Sequence, residues 1–138
     1  FDEVIFKDST GADVSLSALK GQVVFLNFWA TWCGPCVQEM PSIQKLYNQF
    51  GTDKNVKFLM VDMDGDLKKS LKFMQRKQYT MPVVIPASEM PSALVGAAIP
   101  TTVVINKAGK IVFRLEGGAD YNNEQFVSMM RKLSAEKI

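Results

Sequence analysis

Two cysteines three residues apart, in Cys33-Gly34-Pro35-Cys36, are the residues of this sequence whose spacing most directly defines a chemistry. Side chains three apart on a helix lie about 5 to 6 Å from one another. A disulfide needs α-carbons about 4.4 to 6.8 Å apart, so this pair can open and close with little backbone movement. At a helix N-terminus, unbonded N–H groups and the positive end of the dipole stabilise a thiolate and lower the thiol's pKa. That makes Cys33, at the helix start, the expected nucleophile, and Cys36, one turn deeper, the expected resolving thiol. Pro35 supports the first turn, where its missing N–H leaves nothing unpaired. Two other uses of the pair stand beside this one. A purely structural cross-link closing four residues stabilises by only about 2 kcal/mol. Half a zinc site shared between subunits supplies two thiolates and needs two more ligands.

The composition excludes much else. With no histidine in 138 residues there is no Ser-His-Asp triad, no Cys-His pair, and no histidine ligand for haem or copper. No metal and no cofactor beyond the dithiol itself is expected. Sixteen Lys and Arg stand against 14 Asp and Glu, a formal charge of +2. With both signs scattered along the chain no basic stripe is expected, and neither nucleic acid nor an anionic membrane surface is an expected partner. The chain, 47% hydrophobic and 22% charged, suits one soluble domain over residues 1–138. The longest uncharged run, between Lys20 and Glu39, is broken by Gln22, Asn27 and the cysteine stretch, so no transmembrane helix is expected. The sequence opens at Phe1 without a charged region followed by an apolar one, so any signal peptide or lipid anchor is expected to be missing from it.

Elements must hold the cysteines in place, and the pattern alternates strands with helices, the mark of an α/β layer structure. Val23 to Trp29 is apolar at almost every position, as a central strand covered on both faces should be. A helix is expected from about Cys33 to Phe50, with Val37, Met40, Ile43, Leu46, Tyr47 and Phe50 inward and Pro41 kinking it. Lys57 to Asp62 reads as a second buried strand, followed by a helix over about Asp66 to Lys77 with Leu67, Leu71 and Met74 on one face. Four of the six prolines fall between Pro82 and Pro100, around a short strand at Val83 to Ile85 and a helical turn at Ser92 to Val95. Thr102 to Asn106 and Ile111 to Glu116 flank a turn ending in Gly109. The last helix spans about Asn122 to Leu133, with Phe126, Met129, Met130 and Leu133 inward. Val4 to Phe6 and Asp13 to Ser15 form an expected N-terminal hairpin.

The run Asn27-Phe28-Trp29-Ala30-Thr31-Trp32-Cys33-Gly34-Pro35-Cys36 resembles the active-site strand and turn of the thioredoxins. Ala98-Ile99-Pro100-Thr101-Thr102 resembles that superfamily's cis-proline loop, which implies a cis Ile99–Pro100 bond packed against the sulfurs. Leu16-Ser17-Ala18-Leu19-Lys20-Gly21 and Cys36-Val37-Gln38-Glu39-Met40-Pro41 are similar to the TlpA/ResA-type extracytoplasmic group. The resemblance covers essentially the whole chain. It implies a mixed central sheet flanked by helices, an N-terminal hairpin extension over residues 1–20 and an insertion at 79–97 before the cis-proline loop. It further implies substrate contacts at Trp32, Ile99, Pro100, Thr101 and Gly117, in the manner of an added strand. Trp29, Trp32, Ala97, Ala98, Gly117 and Gly118 should ring the dithiol, although Trp29 fits the core equally well.

One departure bears on the proton. Thioredoxins bury an aspartate under the resolving cysteine, with a lysine on the neighbouring strand, and those positions hold Asn27 and Phe58 here. Losing both avoids an unpaired buried charge. In the ResA-like group a glutamate near the end of the second core strand has a comparable part, and Gly65 stands there. Asp64, among Asp62, Asp64 and Asp66, is the first expected substitute, and Glu39, one turn beyond Cys36, the second. The resemblance implies a thiol-disulfide oxidoreductase, and the Gly-Pro dipeptide suggests a reductase of exported proteins' disulfides. It is expected to be monomeric and recharged by a membrane electron donor outside the cytoplasm. Rival readings are a disulfide donor or isomerase, a thiol peroxidase and a redox-gated binding module. The peroxiredoxin Pro-x-x-x-Thr-x-x-Cys pattern is absent around Cys33.

Overall fold

The computed structural model describes residues 3–138. Seven strands, β1 (Ile5–Asp8), β2 (Asp13–Ser15), β3 (Val23–Trp29), β4 (Val56–Asp62), β5 (Val83–Pro86), β6 (Thr101–Ile105) and β7 (Ile111–Glu116), form one sheet in the order β2-β1-β5-β4-β3-β6-β7. The sheet is mixed: β3 and β5 run parallel to β4, whereas β6 pairs antiparallel with β3 and β7. The N-terminal hairpin joins it antiparallel to β5, through Lys7 opposite Ile85.

β3 is buried at all seven positions, and its alternation separates two cores. Phe25 and Trp29 face one cluster with Phe58, Met60 and residues of all three helices. Val24, Leu26 and Phe28 face the other, under the hairpin and the turn at Leu94 and Val95. The helices are α1 (Gly34–Phe50), α2 (Leu67–Lys77) and α3 (Glu124–Ala135). Helix α1 starts one residue later than expected because Cys33 is its N-cap, with an extended backbone (φ −83°, ψ 109°). It continues through Pro41 and buries Met40, Ile43, Leu46 and Phe50, together with Cys36 and Glu39.

Two expectations fail at α2. Its inner face is Ser70, Phe73 and Met74, while Leu71 points outward and is 38% exposed. The helix is rotated because the Phe73 ring packs on Trp29, centroids 5.5 Å apart, and a phenyl group gains more by burial than a leucine. The absence of a basic stripe is also overturned: α2 carries Lys68, Lys69, Lys72, Arg76 and Lys77 without an acidic residue. The whole-chain charge of +2 hides this, since the remaining 11 cations and 14 acids sum to −3.

Candidate active site

β3 ends at Trp29, the chain turns over Ala30 to Trp32, and Cys33 opens α1. Cys33 and Cys36 form a disulfide with α-carbons 5.2 Å apart, inside the range the helical spacing predicts. The Cys36 N–H donates to Cys33 Sγ at 3.3 Å, so the sulfur occupies the place of an N-cap oxygen. In the reduced state the same N–H and the α1 dipole favour a Cys33 thiolate. Cys33 retains 5% exposure and Cys36 none, and both belong to the cluster that contains Trp29.

The Ile99–Pro100 peptide bond is cis. Its loop faces the dithiol, with the Ile99 carbonyl oxygen 3.9 Å from Cys33 Sγ. Thr101 donates its hydroxyl to the Ala98 carbonyl at 2.8 Å, and the Gly117 N–H donates to the Pro100 carbonyl at 2.8 Å, which ties β7's end to the loop. Gly117 has φ +96°, a left-handed conformation that favours glycine. A side-chain carbon on Gly118 would lie 3.5 Å from the Pro35 carbonyl oxygen, so this glycine borders the first turn of α1. Ala97 and Ala98 are exposed on the cis-proline loop. Trp32 is 67% exposed beside the disulfide, whereas Trp29 is fully buried core.

The acids separate sharply. Asp64 lies at the surface, and its Oδ2 accepts the Trp32 indole N–H at 2.8 Å, so it orients the exposed ring. Asp62 is buried at the end of β4 and accepts the Asp64 and Asp66 N–H groups, which folds the loop into α2. Burial pushes the Asp62 pKa up, against the pull of those N–H groups. Asp66 caps α2 by accepting the Lys69 N–H at 3.1 Å.

Glu39 is 3% exposed beneath the dithiol's helix turn. The Asn27 side-chain amide donates to its Oε2 at 2.7 Å, and the Ala119 N–H donates to its Oε1 at 3.3 Å. The same Asn27 amide donates to Thr102 Oγ1 at 3.0 Å. Helix α1 thus brings a carboxylate against the strand residue that stands in place of the expected buried acid. Burial dominates its ionisation and pushes the Glu39 pKa up to about 7, the Asn27 and Ala119 hydrogen bonds pulling the other way. An open hollow lined by Pro35, Gln38, Glu39, Gly118 and Ala119 leads from this carboxyl toward solvent. Phe58, in place of the expected lysine, packs its ring at a tilt against Phe25, centroids 4.9 Å apart, and edge-to-face against Tyr47 at 5.2 Å.

The sequence places Asp64 before Glu39, and the structure buries Glu39 and exposes Asp64. A signal for this exists: residues 36, 39, 40, 43, 46 and 50 recur at helical spacing, which sets Glu39 within the inner stripe of α1. Among the described residues, no group of three His, Cys, Asp or Glu is placed to hold a metal. No described helix is long and apolar enough to cross a membrane.

The Redoxin family model matches residues 2–128. The thiol-disulfide oxidoreductase ResA of Bacillus thuringiensis strain Al Hakam is 32% identical over 131 residues, covering 94% of this chain and 74% of that protein. ResA of Bacillus subtilis strain 168 is 36% identical over 110 residues, covering 78% of this chain and 60% of that protein. Among solved structures, StoA from Bacillus subtilis superposes with a TM-score of 0.73 at 27% identity, covering 93% of this chain and 96% of that one. The thioredoxin domain of a thiol-disulfide oxidoreductase from Bacteroides vulgatus gives 0.70 at 27% identity, covering 89% and 91%. With its strand, dithiol turn and cis-proline loop assembled on a thioredoxin fold, the chain belongs to the Redoxin family and is a ResA-like thiol-disulfide oxidoreductase.

Proposed function

We propose that this oxidoreductase reduces disulfides of exported proteins, with Cys33 attacking and Cys36 resolving. The observation that carries this division is the Cys36 N–H directed at Cys33 Sγ at the start of α1. The Cys33 thiolate attacks one sulfur of the substrate disulfide; that bond breaks, a mixed disulfide forms, and the first substrate thiolate leaves and takes a proton from solvent. Cys36 then gives its proton to the Glu39 carboxylate and attacks Cys33 Sγ. The Cys33–Cys36 disulfide forms, and the second substrate thiolate departs and takes a proton from solvent, to which Glu39 returns the proton it received. The substrate gains two electrons and two protons, and the dithiol is the species oxidised.

Glu39 suits the proton step because a carboxyl with a pKa near ambient pH both accepts and returns a proton readily. Asp64 serves by holding Trp32 at the rim. Trp32, Ile99 and Gly117 offer the surface on which an extended substrate segment lies, while Pro100 and Thr101, both expected as substrate contacts, are buried and hold the loop from beneath because Thr101 is paired within the sheet on both sides. Gly34 and Pro35 fit the reducing direction, by likeness to reducing members with a Gly-Pro dipeptide. Resemblance to the extracytoplasmic group supports action outside the cytoplasm, as a single-domain monomer reset by a membrane dithiol donor, with no nucleic acid and no metal involved.

Single-turnover mixing of the reduced protein with a peptide containing one disulfide tests this. One peptide dithiol should form per protein oxidised, with a resolving step that slows in Glu39→Gln and keeps its rate in Asp64→Asn. A resolving step unaffected by Glu39→Gln would remove Glu39 from the mechanism, and absence of exchange would remove the mechanism itself.

A further inference from the structure

Helix α2 begins where the dithiol rim ends. Asp64, which holds the exposed Trp32 indole, is followed two residues later by the α2 N-cap, Asp66. The next residues outward are Lys68 and Lys69, in the first turn, with Lys72 one turn on. All three are exposed, and among the described residues none of them is in an ion pair; the two pairs present are Lys7–Asp13 and Arg114–Glu116.

Stability does not account for these lysines. Cations in a first helical turn oppose the macrodipole, which favours acids there. Lys68 with Lys72 and Lys72 with Arg76 are like charges four apart, each pair unfavourable on its own. Arg76 and Lys77 do have a local account: they sit at the C-terminal end, where the dipole favours cations, and lie 5.7 and 6.0 Å from the Phe73 ring centroid. The unexplained charge is therefore concentrated at the end of α2 nearest the disulfide. Exposed positions that break a local rule are where a sequence serves a partner rather than the fold.

We infer that Lys68, Lys69 and Lys72 dock an acidic surface next to the disulfide of the protein substrate, and so select acidic substrates. This rests on the oxidoreductase reading above. A protein partner fits better than an anionic bilayer for two reasons. The apolar side of α2, Phe73 and Met74, is buried against the sheet and has nothing to insert. The outward face is cationic around one half-exposed leucine, Leu71, and adjoins the Trp32 rim that any disulfide substrate must approach. Opposite charge there raises the encounter rate, an effect of about tenfold or more at low salt that fades with ionic strength.

The test uses two peptides with the same single disulfide loop, flanked by three glutamates in one and three lysines in the other, and the uncharged hydroxyethyl disulfide as a third substrate. The reduced wild-type protein should react with the glutamate peptide about tenfold faster than with the lysine peptide at low salt, and the two rates should converge in about 1 M salt, where screening extends only about 3 Å. The triple variant Lys68→Glu/Lys69→Glu/Lys72→Glu should reverse the preference, and Lys68→Gln/Lys69→Gln/Lys72→Gln should abolish it, both with unchanged rates on hydroxyethyl disulfide. Equal peptide rates in the wild type, or a preference that survives both variants, would overturn the inference while leaving the oxidoreductase reading intact. Salt-sensitive binding to phosphatidylglycerol vesicles without a peptide preference would assign the lysines to a membrane instead. Failure of the wild type to react with hydroxyethyl disulfide would overturn the oxidoreductase reading, and this inference with it.

Discussion

Helices α1 and α2 start on the same side chemistry and use it oppositely. At α1 the first turn carries no charge, and the end of the dipole acts on the Cys33 sulfur, which takes the Cys36 N–H at 3.3 Å. At α2 a conventional carboxylate cap, Asp66, takes the Lys69 N–H, and two lysines follow where the dipole disfavours them. The first start converts a structural preference into reactivity. The second keeps the helix anchored by its cap while presenting charge outward, which points to a partner. The two lie on either side of Trp32, joined through its hydrogen bond to Asp64.

Substitutions separate the two starts. Cys33→Ser should have the largest effect: exchange with any disulfide falls by about three orders of magnitude or more, since an alcohol replaces the thiolate, and a kinetic assay with a peptide disulfide reads it. Glu39→Gln should slow the resolving step by about 100-fold near pH 8, with loss of the wild-type dependence centred near pH 7. The same variant has a signature in stability. Glu39 has its folded pKa raised from 4.5 to about 7, so the folded state holds a proton that the unfolded chain releases, and wild-type stability declines as pH rises through that window. Denaturant titrations at pH 5 and pH 8 should show the Gln variant free of that decline, a relative gain on the order of 2 kcal/mol at pH 8.

At α2 the expected effects are smaller. Asp66→Ala removes the cap and should cost about 1 kcal/mol in denaturant unfolding. Lys68→Glu with Lys69→Glu should act in the other direction, raising stability by about 0.5 kcal/mol per substitution as the first turn becomes acidic. A loss of stability in that double variant would contradict the contrast between the two helices.

Much of this arrangement was legible in the residues. The apolar run from Val23 to Trp29, interrupted only by Asn27, is β3 residue for residue, because a strand covered on both faces stays apolar up to its ends. The cis Ile99–Pro100 bond followed from likeness alone, as no local pattern distinguishes cis from trans. The rotation of α2 was hidden because Leu71 and Phe73 are both apolar, and only packing against Trp29 decides between them. The depth of Glu39 was obscured by its type: a glutamate in a helix is usually solvated, and its position in the inner stripe outweighed that habit because Asn27 and Ala119 supply its hydrogen bonds. The basic face of α2 disappeared in the whole-chain sum, since a charge of +2 is compatible with any distribution.

The central claim, attack by Cys33 and resolution by Cys36, is tested most directly by mass spectrometry of Cys36→Ser protein mixed with a peptide disulfide. A one-to-one mixed disulfide through Cys33 should accumulate and persist, while Cys33→Ser protein forms none. An adduct that forms on Cys36 in the Cys33→Ser protein, with none on Cys33 in the Cys36→Ser protein, would contradict it.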